Sequence, residues 1–139
     1  MKTSARNHFV GQVSEIKTGA VNDEITLKVG EATLVAVVTQ DSTKSLGLSV
    51  GSAASALIKA SSVIIMIDAD PAKVSARNVF AGTVKAVKSG AVNSEITIVS
   101  GQLELAAIIT NESVTRLGLA IGKPASAVVK ASSVIVAVE

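Results

Sequence analysis

The chain has 139 residues, a formal net charge of +2, no cysteine, no Trp or Tyr, and only two Phe. Disulfides and thiol-ligated metals are excluded, and so weak a charge argues against a nucleic-acid partner while suiting a small anion. No apolar run approaches the roughly 18 residues of a membrane span, and MKTSARNHF lacks the apolar core of a signal peptide, so a cytoplasmic protein with no membrane association is expected.

The elements come in two matching series. A shift of about 71 positions aligns residues 1–68 with 72–139 without a gap, and roughly half the positions are identical. The reading is a first domain over 1–68, a linker over 69–72 within DADPA, and a second domain over 73–139. Units this small have limited power to bury a core and are expected to lean on a neighbour.

In chain order, the first copy opens on SARN-x-F at Ser4 to Phe9. If Ser4 and Arg6 stand on a strand, positions i and i+2 share a face, so hydroxyl and guanidinium point the same way. The GAVN turn follows, Gly19 to Asn22, where Gly and Asn serve a hairpin or backbone amides form a small anion nest. EITLKV then puts Ile25, Leu27 and Val29 on one face and Thr26 and Lys28 on the other. LVAVVT, Leu34 to Thr39, is a short apolar run rich in β-branched residues, as in a strand covered on both faces.

Thr39 and Ser42 stand where that strand runs into DSTKSLGL. There Ser42 is expected to cap a short helical turn and Gly47 to end it in a left-handed conformation. Hydroxyls and free N–H groups at a helix start favour an anion; a plain helix cap is the other reading. ASALIK is the next strand, left by a cation and a hydroxyl in Lys59-Ala60-Ser61, and SVIIMI is the last. The second copy repeats the polar sets at Ser75 and Arg77, at Gly90 to Asn93 (Gly90, Ala91, Val92 and Asn93 matching Gly19, Ala20, Val21 and Asn22), at Thr110 and Ser113, and at Lys130-Ala131-Ser132. Five short strands and one helical turn per copy predict an all-β protein of two tandem OB-like five-stranded β-barrels, closure leaving no raw edges.

Arg, Lys, Ser, Thr and backbone N–H are all donors, and none of the Ser-Arg, Thr-Ser or Lys-Ala-Ser sets contains a carboxylate. A fully deprotonated tetrahedral oxyanion needs only donors. Monohydrogen phosphate would lose a buried hydrogen bond for want of an acceptor. Glu24 and Glu95 read as strand-end charges. His8, replaced by Val79 in the second copy, reads as packing or surface. No nucleophile–base set, metal cluster or phosphate loop is present, so neither an enzyme nor a cofactor is expected.

SARN-x-F-x-G-x-V, K-x-GAVN-x-E, T-x-x-S with LGL, and KAS, in that order and twice, resemble the Mop domain of the molbindins, in its tandem form. The resemblance covers essentially the whole chain. It implies binding of molybdate and tungstate at subunit and domain interfaces, intracellular molybdenum storage or homeostasis, and a homotrimer of two-domain chains. By position, interface sites would use Ser4 and Arg6 of one repeat, with Thr39, Ser42, Lys59, Ala60 and Ser61 of a facing one. The equivalent set is Ser75, Arg77, Thr110, Ser113, Lys130, Ala131 and Ser132. Axial sites would lie at the GAVN turns. The halves differ at His8/Val79, Asp23/Ser94 and Ser45/Arg116, so their sites are expected to differ in affinity. Two rival readings are an OB-like nucleic-acid module, which would need a basic groove and aromatic platforms, and a purely structural assembly domain.

Overall fold

A computed structural model describes residues 1–139. The strands are β1 (Asn7–Thr18), β2 (Asn22–Val29), β3 (Ala32–Thr39), β4 (Ala53–Ile58) and β5 (Ile64–Met66), then β6 (Asn78–Ser89), β7 (Asn93–Ser100), β8 (Leu103–Thr110), β9 (Pro124–Val129) and β10 (Ile135–Ala137). Two helices, α1 (Gln40–Ser45) and α2 (Asn111–Leu117), follow β3 and β8, and 3-10 turns stand at Ala60–Ser62, Pro71–Lys73 and Ala131–Ser133.

Two five-stranded antiparallel sheets form, in the orders β10-β4-β1-β2-β3 and β5-β9-β6-β7-β8. Each curls until its two outermost strands approach, with no ladder between them, so the expected barrel is realised as a partly open one. The long first strand makes the curl possible. The first six residues of β1, Asn7 to Gln12, pair with β4, and Gln12 to Thr18 pair with β2 across a bulge between Val13 and Glu15; β6 has the same bulge between Val84 and Ala86. A bulge bends a strand and raises its twist, which lets one strand serve two directions. At Gly82 an added Cβ would collide with the Val99 carbonyl oxygen, so the sheet closes there only over a glycine.

Period-two patterning fills the core as the sequence predicts. Ile25 and Leu27, with Ile96 and Ile98 in the second copy, are fully buried.

The last strand of each repeat does not join its own sheet. β5 pairs with β9, Ile65 opposite Ala127, and β10 pairs with β4, Val136 opposite Ala56. The compact units are therefore Met1–Ile58 with Lys130–Glu139, and Lys59–Val129. These boundaries differ from the repeats at 1–68 and 73–139. The chain leaves the first unit at Lys59 and returns at Lys130, the residues that immediately precede the 3-10 turns.

Candidate functional site

In the second unit the 3-10 turn Ala60–Ser62 packs against β8. A shallow pocket of about 360 Å³ opens there, with Ser61, Thr110, Ser113 and Arg116 as its polar lining and aliphatic side chains such as Ile65, Ile109 and Leu117 as the rest. No carboxylate lines it. In the first unit the 3-10 turn Ala131–Ser133 packs on β3, the strand that ends at Thr39.

Chain order had grouped Thr39 and Ser42 with Lys59, Ala60 and Ser61, and Thr110 and Ser113 with Lys130, Ala131 and Ser132. The structure crosses these sets. Ser61 stands with Thr110 and Ser113, while Lys130–Ser132 belongs to the unit of Thr39 and Ser42. The physical reason is the exchange of β5 and β10, which carries each 3-10 turn with it.

The helix start also differs from expectation. Thr39, not Ser42, is the N-cap: its extended backbone precedes α1, and its Oγ1 accepts the Ser42 N–H at 3.1 Å. Thr110 does the same for Ser113 N, also at 3.1 Å. Each threonine hydroxyl then donates to the serine Oγ, at 2.8 Å for Thr39 to Ser42 and 2.9 Å for Thr110 to Ser113. Each serine hydroxyl, having accepted, still has its own O–H to donate. Gly47 and Gly118, both with φ of 64°, take the left-handed conformation expected at the helix ends.

Lys59 and Lys130 are exposed and precede the 3-10 turns; Lys59 does not line the pocket. Ala60 and Ala131 are buried, so only their backbone can serve a ligand. The turns are closed by Ser62 N to Lys59 O and Ser133 N to Lys130 O, both 2.9 Å, and the N–H groups of Ala60, Ser61, Ala131 and Ser132 are not spent on backbone carbonyls.

Ser4 and Arg6 are exposed in the bend ahead of β1, and Ser75 and Arg77 ahead of β6; they do not stand on strands, so the alternation argument for a shared face does not apply to them. The asparagine that follows has a structural task that composition did not signal: buried Asn7 donates from Nδ2 to the Ile58 carbonyl at 3.2 Å, pinning the point where the chain leaves the unit.

The GAVN segments are hairpin turns. Gly19 N donates to Asn22 O at 3.0 Å and Gly90 N to Asn93 O at 2.8 Å, and the Val21 and Val92 carbonyls accept from Gln40 N and Asn111 N, each at 2.9 Å. Their surroundings differ in charge. Buried Asp23 accepts the Gly19 N–H on Oδ1 at 3.3 Å. At the second turn, buried Ser94 donates to Asn111 Oδ1, and Asn111 Nδ2 donates to Gly90 O at 3.0 Å, with no carboxylate involved. Sequence comparison of the halves flagged this pair and Ser45/Arg116. Only the structure puts Arg116 in the pocket.

The family model for the TOBE domain matches residues 3–65 and again residues 74–136. The chain belongs to the TOBE family. Its tandem TOBE repeats are 43% identical to the molybdenum transport protein ModE of Herbaspirillum seropedicae over 141 residues, covering 100% of this chain and 52% of that one. They are 42% identical to the molybdenum-pterin-binding protein MopA of Rhodobacter capsulatus, covering 99% of this chain and 52% of MopA. The TOBE pair thus spans about half the length of these curated relatives. The crystal structure of ModG, a cytoplasmic molybdate-binding protein solved with molybdate bound, matches with a TM-score of 0.92 at 46% identity over 100% of both chains.

Proposed function

We propose that this tandem TOBE chain binds molybdate, and tungstate by the same chemistry, as a free oxyanion held by hydrogen-bond donors, without transforming it. The observation that carries the reading is the carboxylate-free pocket in which Ser61, Thr110, Ser113 and Arg116 meet, within a fold that matches molybdate-bound ModG along its whole length. The pocket sets supply hydroxyls, N–H groups and a guanidinium, all donors. A dianion without protons satisfies every one of them. Monohydrogen phosphate would face a donor with its own O–H and lose a hydrogen bond.

The interface sites are assigned to Ser61, Thr110 and Ser113, with the Lys59–Ala60 backbone, and to Thr39, Ser42, Ala131 and Ser132, with Lys130. Ser4 and Arg6, and Ser75 and Arg77, complete them from a neighbouring copy. The GAVN turns are the axial candidates. The assembly is a homotrimer. Paired apolar side chains support it: Val21, Val50 and Ile64, and their equivalents Val92, Ile121 and Ile135, are each more than half exposed, a doubled pattern that association would cover. The role is cytoplasmic storage or homeostasis of molybdenum; ModG is described as cytoplasmic, and no helix here is long and apolar enough to cross a membrane.

Calorimetric titration with sodium molybdate, alongside sulfate and phosphate and with the mass of the assembly measured by light scattering, is the test. Saturable heat with molybdate and none with phosphate is expected. No molybdate binding by an intact assembly rejects the reading.

A further inference from the structure

The two repeats are near copies, so a difference that reaches the pocket is informative. Position 116 is such a place. Arg116 stands in the last turn of α2, lines the pocket with Ser61, Thr110 and Ser113, and pairs with no carboxylate of the chain. Its equivalent in the first repeat is Ser45, whose hydroxyl is turned to the Ser42 carbonyl at 3.3 Å.

The first repeat does have a cation in the last turn of its helix, Lys44. By the repeat alignment Lys44 equates with Thr115, one position earlier. One residue is a rotation of roughly 100° about a helix. Thr115 does not line the pocket, and its hydroxyl donates to the Asn111 carbonyl at 3.2 Å. Both helices therefore place one positive charge near their C-terminal end, which the helix dipole favours. Arg116 of α2 lines the donor pocket, and the first repeat has Ser45 at the equivalent position.

We propose that Arg116 is an anion-binding residue and that it makes the pocket of the second unit the tighter of the two, filled first as the oxyanion concentration rises. The proposal rests on the oxyanion reading above and names a residue that grades it. A guanidinium brings a permanent charge and several donors in a fixed plane. A serine whose hydroxyl is engaged with the backbone brings neither. The competing account, in which Arg116 only complements the helix dipole, leaves anion affinity untouched when the residue is changed.

The test is calorimetric titration of the full chain with sodium molybdate, comparing wild type with Arg116→Ser, Arg116→Lys and Ser45→Arg, together with thermal denaturation of each without molybdate. Two classes of pocket are expected in wild type. Arg116→Ser lowers the tight class by about tenfold, the size of one partly screened charge-assisted hydrogen bond, with the number of anions bound unchanged. Arg116→Lys keeps part of the affinity, and Ser45→Arg raises the weak class. If wild type binds molybdate and Arg116→Ser titrates identically, the proposal is overturned and the oxyanion reading stands. A melting point lowered in Arg116→Ser with an unchanged isotherm likewise overturns it, in favour of the dipole role. No binding by wild type overturns both.

Discussion

Ile65 belongs to the first repeat by sequence and to the second unit by packing, which makes Ile65→Ala a direct test of the strand exchange. The side chain is buried in β5, opposite Ala127 of β9. Removing three carbons forfeits about 2.4 kcal/mol at about 0.8 kcal/mol per methylene. The residual cavity adds to this, so a cost of about 3 kcal/mol is expected, inside the 2–5 kcal/mol range of such truncations. That is less than the roughly 5–15 kcal/mol that holds a typical domain together, so the chain still folds. Local opening of β5 from β9 becomes more frequent by on the order of a hundredfold. Native-state hydrogen exchange read by mass spectrometry resolves where this happens. Amides of Ala125–Val129 should exchange faster, while those of Ala53–Ile58 in β4 keep their protection. Faster exchange centred on β4, with β9 unchanged, would refute the exchange and return β5 to its own repeat.

Thr110→Ala removes the α2 cap and should cost about 1 kcal/mol, read as a lower melting temperature that Thr110→Ser largely restores; an unchanged melt would reject the cap assignment. The double variant Arg6→Ala/Arg77→Ala should weaken molybdate binding with the assembly intact, and an identical isotherm would remove both arginines from the site. Asp23→Ser should strengthen anion binding at the first GAVN turn and Ser94→Asp should weaken it at the second; if neither moves the isotherm, the turns are hairpins only. In a double-mutant cycle on molybdate affinity, Ser61→Ala should couple to Ser113→Ala by about 0.5–3 kcal/mol and add to Ser42→Ala within about 0.5 kcal/mol. The reverse pattern would restore the grouping by chain order.

What the sequence made legible is what short-range physics decides. The alternation in EITLKV placed Ile25 and Leu27 inward, and Gly47 and Gly118 marked left-handed helix ends, because each depends on a few adjacent residues. The cap was ambiguous for a local reason: threonine and serine are both cap formers, and Thr39 lies three residues before Ser42, so either could begin a helix. The exchange of β5 and β10 was not legible at all. The strands Ile64–Met66 and Ile135–Ala137 show the same exposed–buried–intermediate pattern. Each sheet can accept either strand, and nothing in a period-two pattern says which. The choice rests on pairing with strands distant in sequence, β5 with β9 and β10 with β4, a non-local outcome. The site suffered the same degeneracy. Ser61, Thr110 and Ser113 were singled out along the chain as site residues and Arg116 was not, and the exchange decides which serine meets which threonine.

The exchange also explains what covalent tandem duplication adds. A chain with a single repeat that traded its last strand with an identical copy would build only identical pockets, each with one arm from either partner. Joining the repeats lets the two diverge. Here the pocket of the second unit takes Ser61 from the first repeat and Thr110, Ser113 and Arg116 from the second, whereas the first unit has Ser45 where Arg116 would stand. On the proposed reading, a single substitution in one repeat then changes the affinity of one site and leaves the other. A pair of unequal oxyanion sites responds over a wider span of concentration than two equal ones, and a tandem chain can fix that inequality in every molecule.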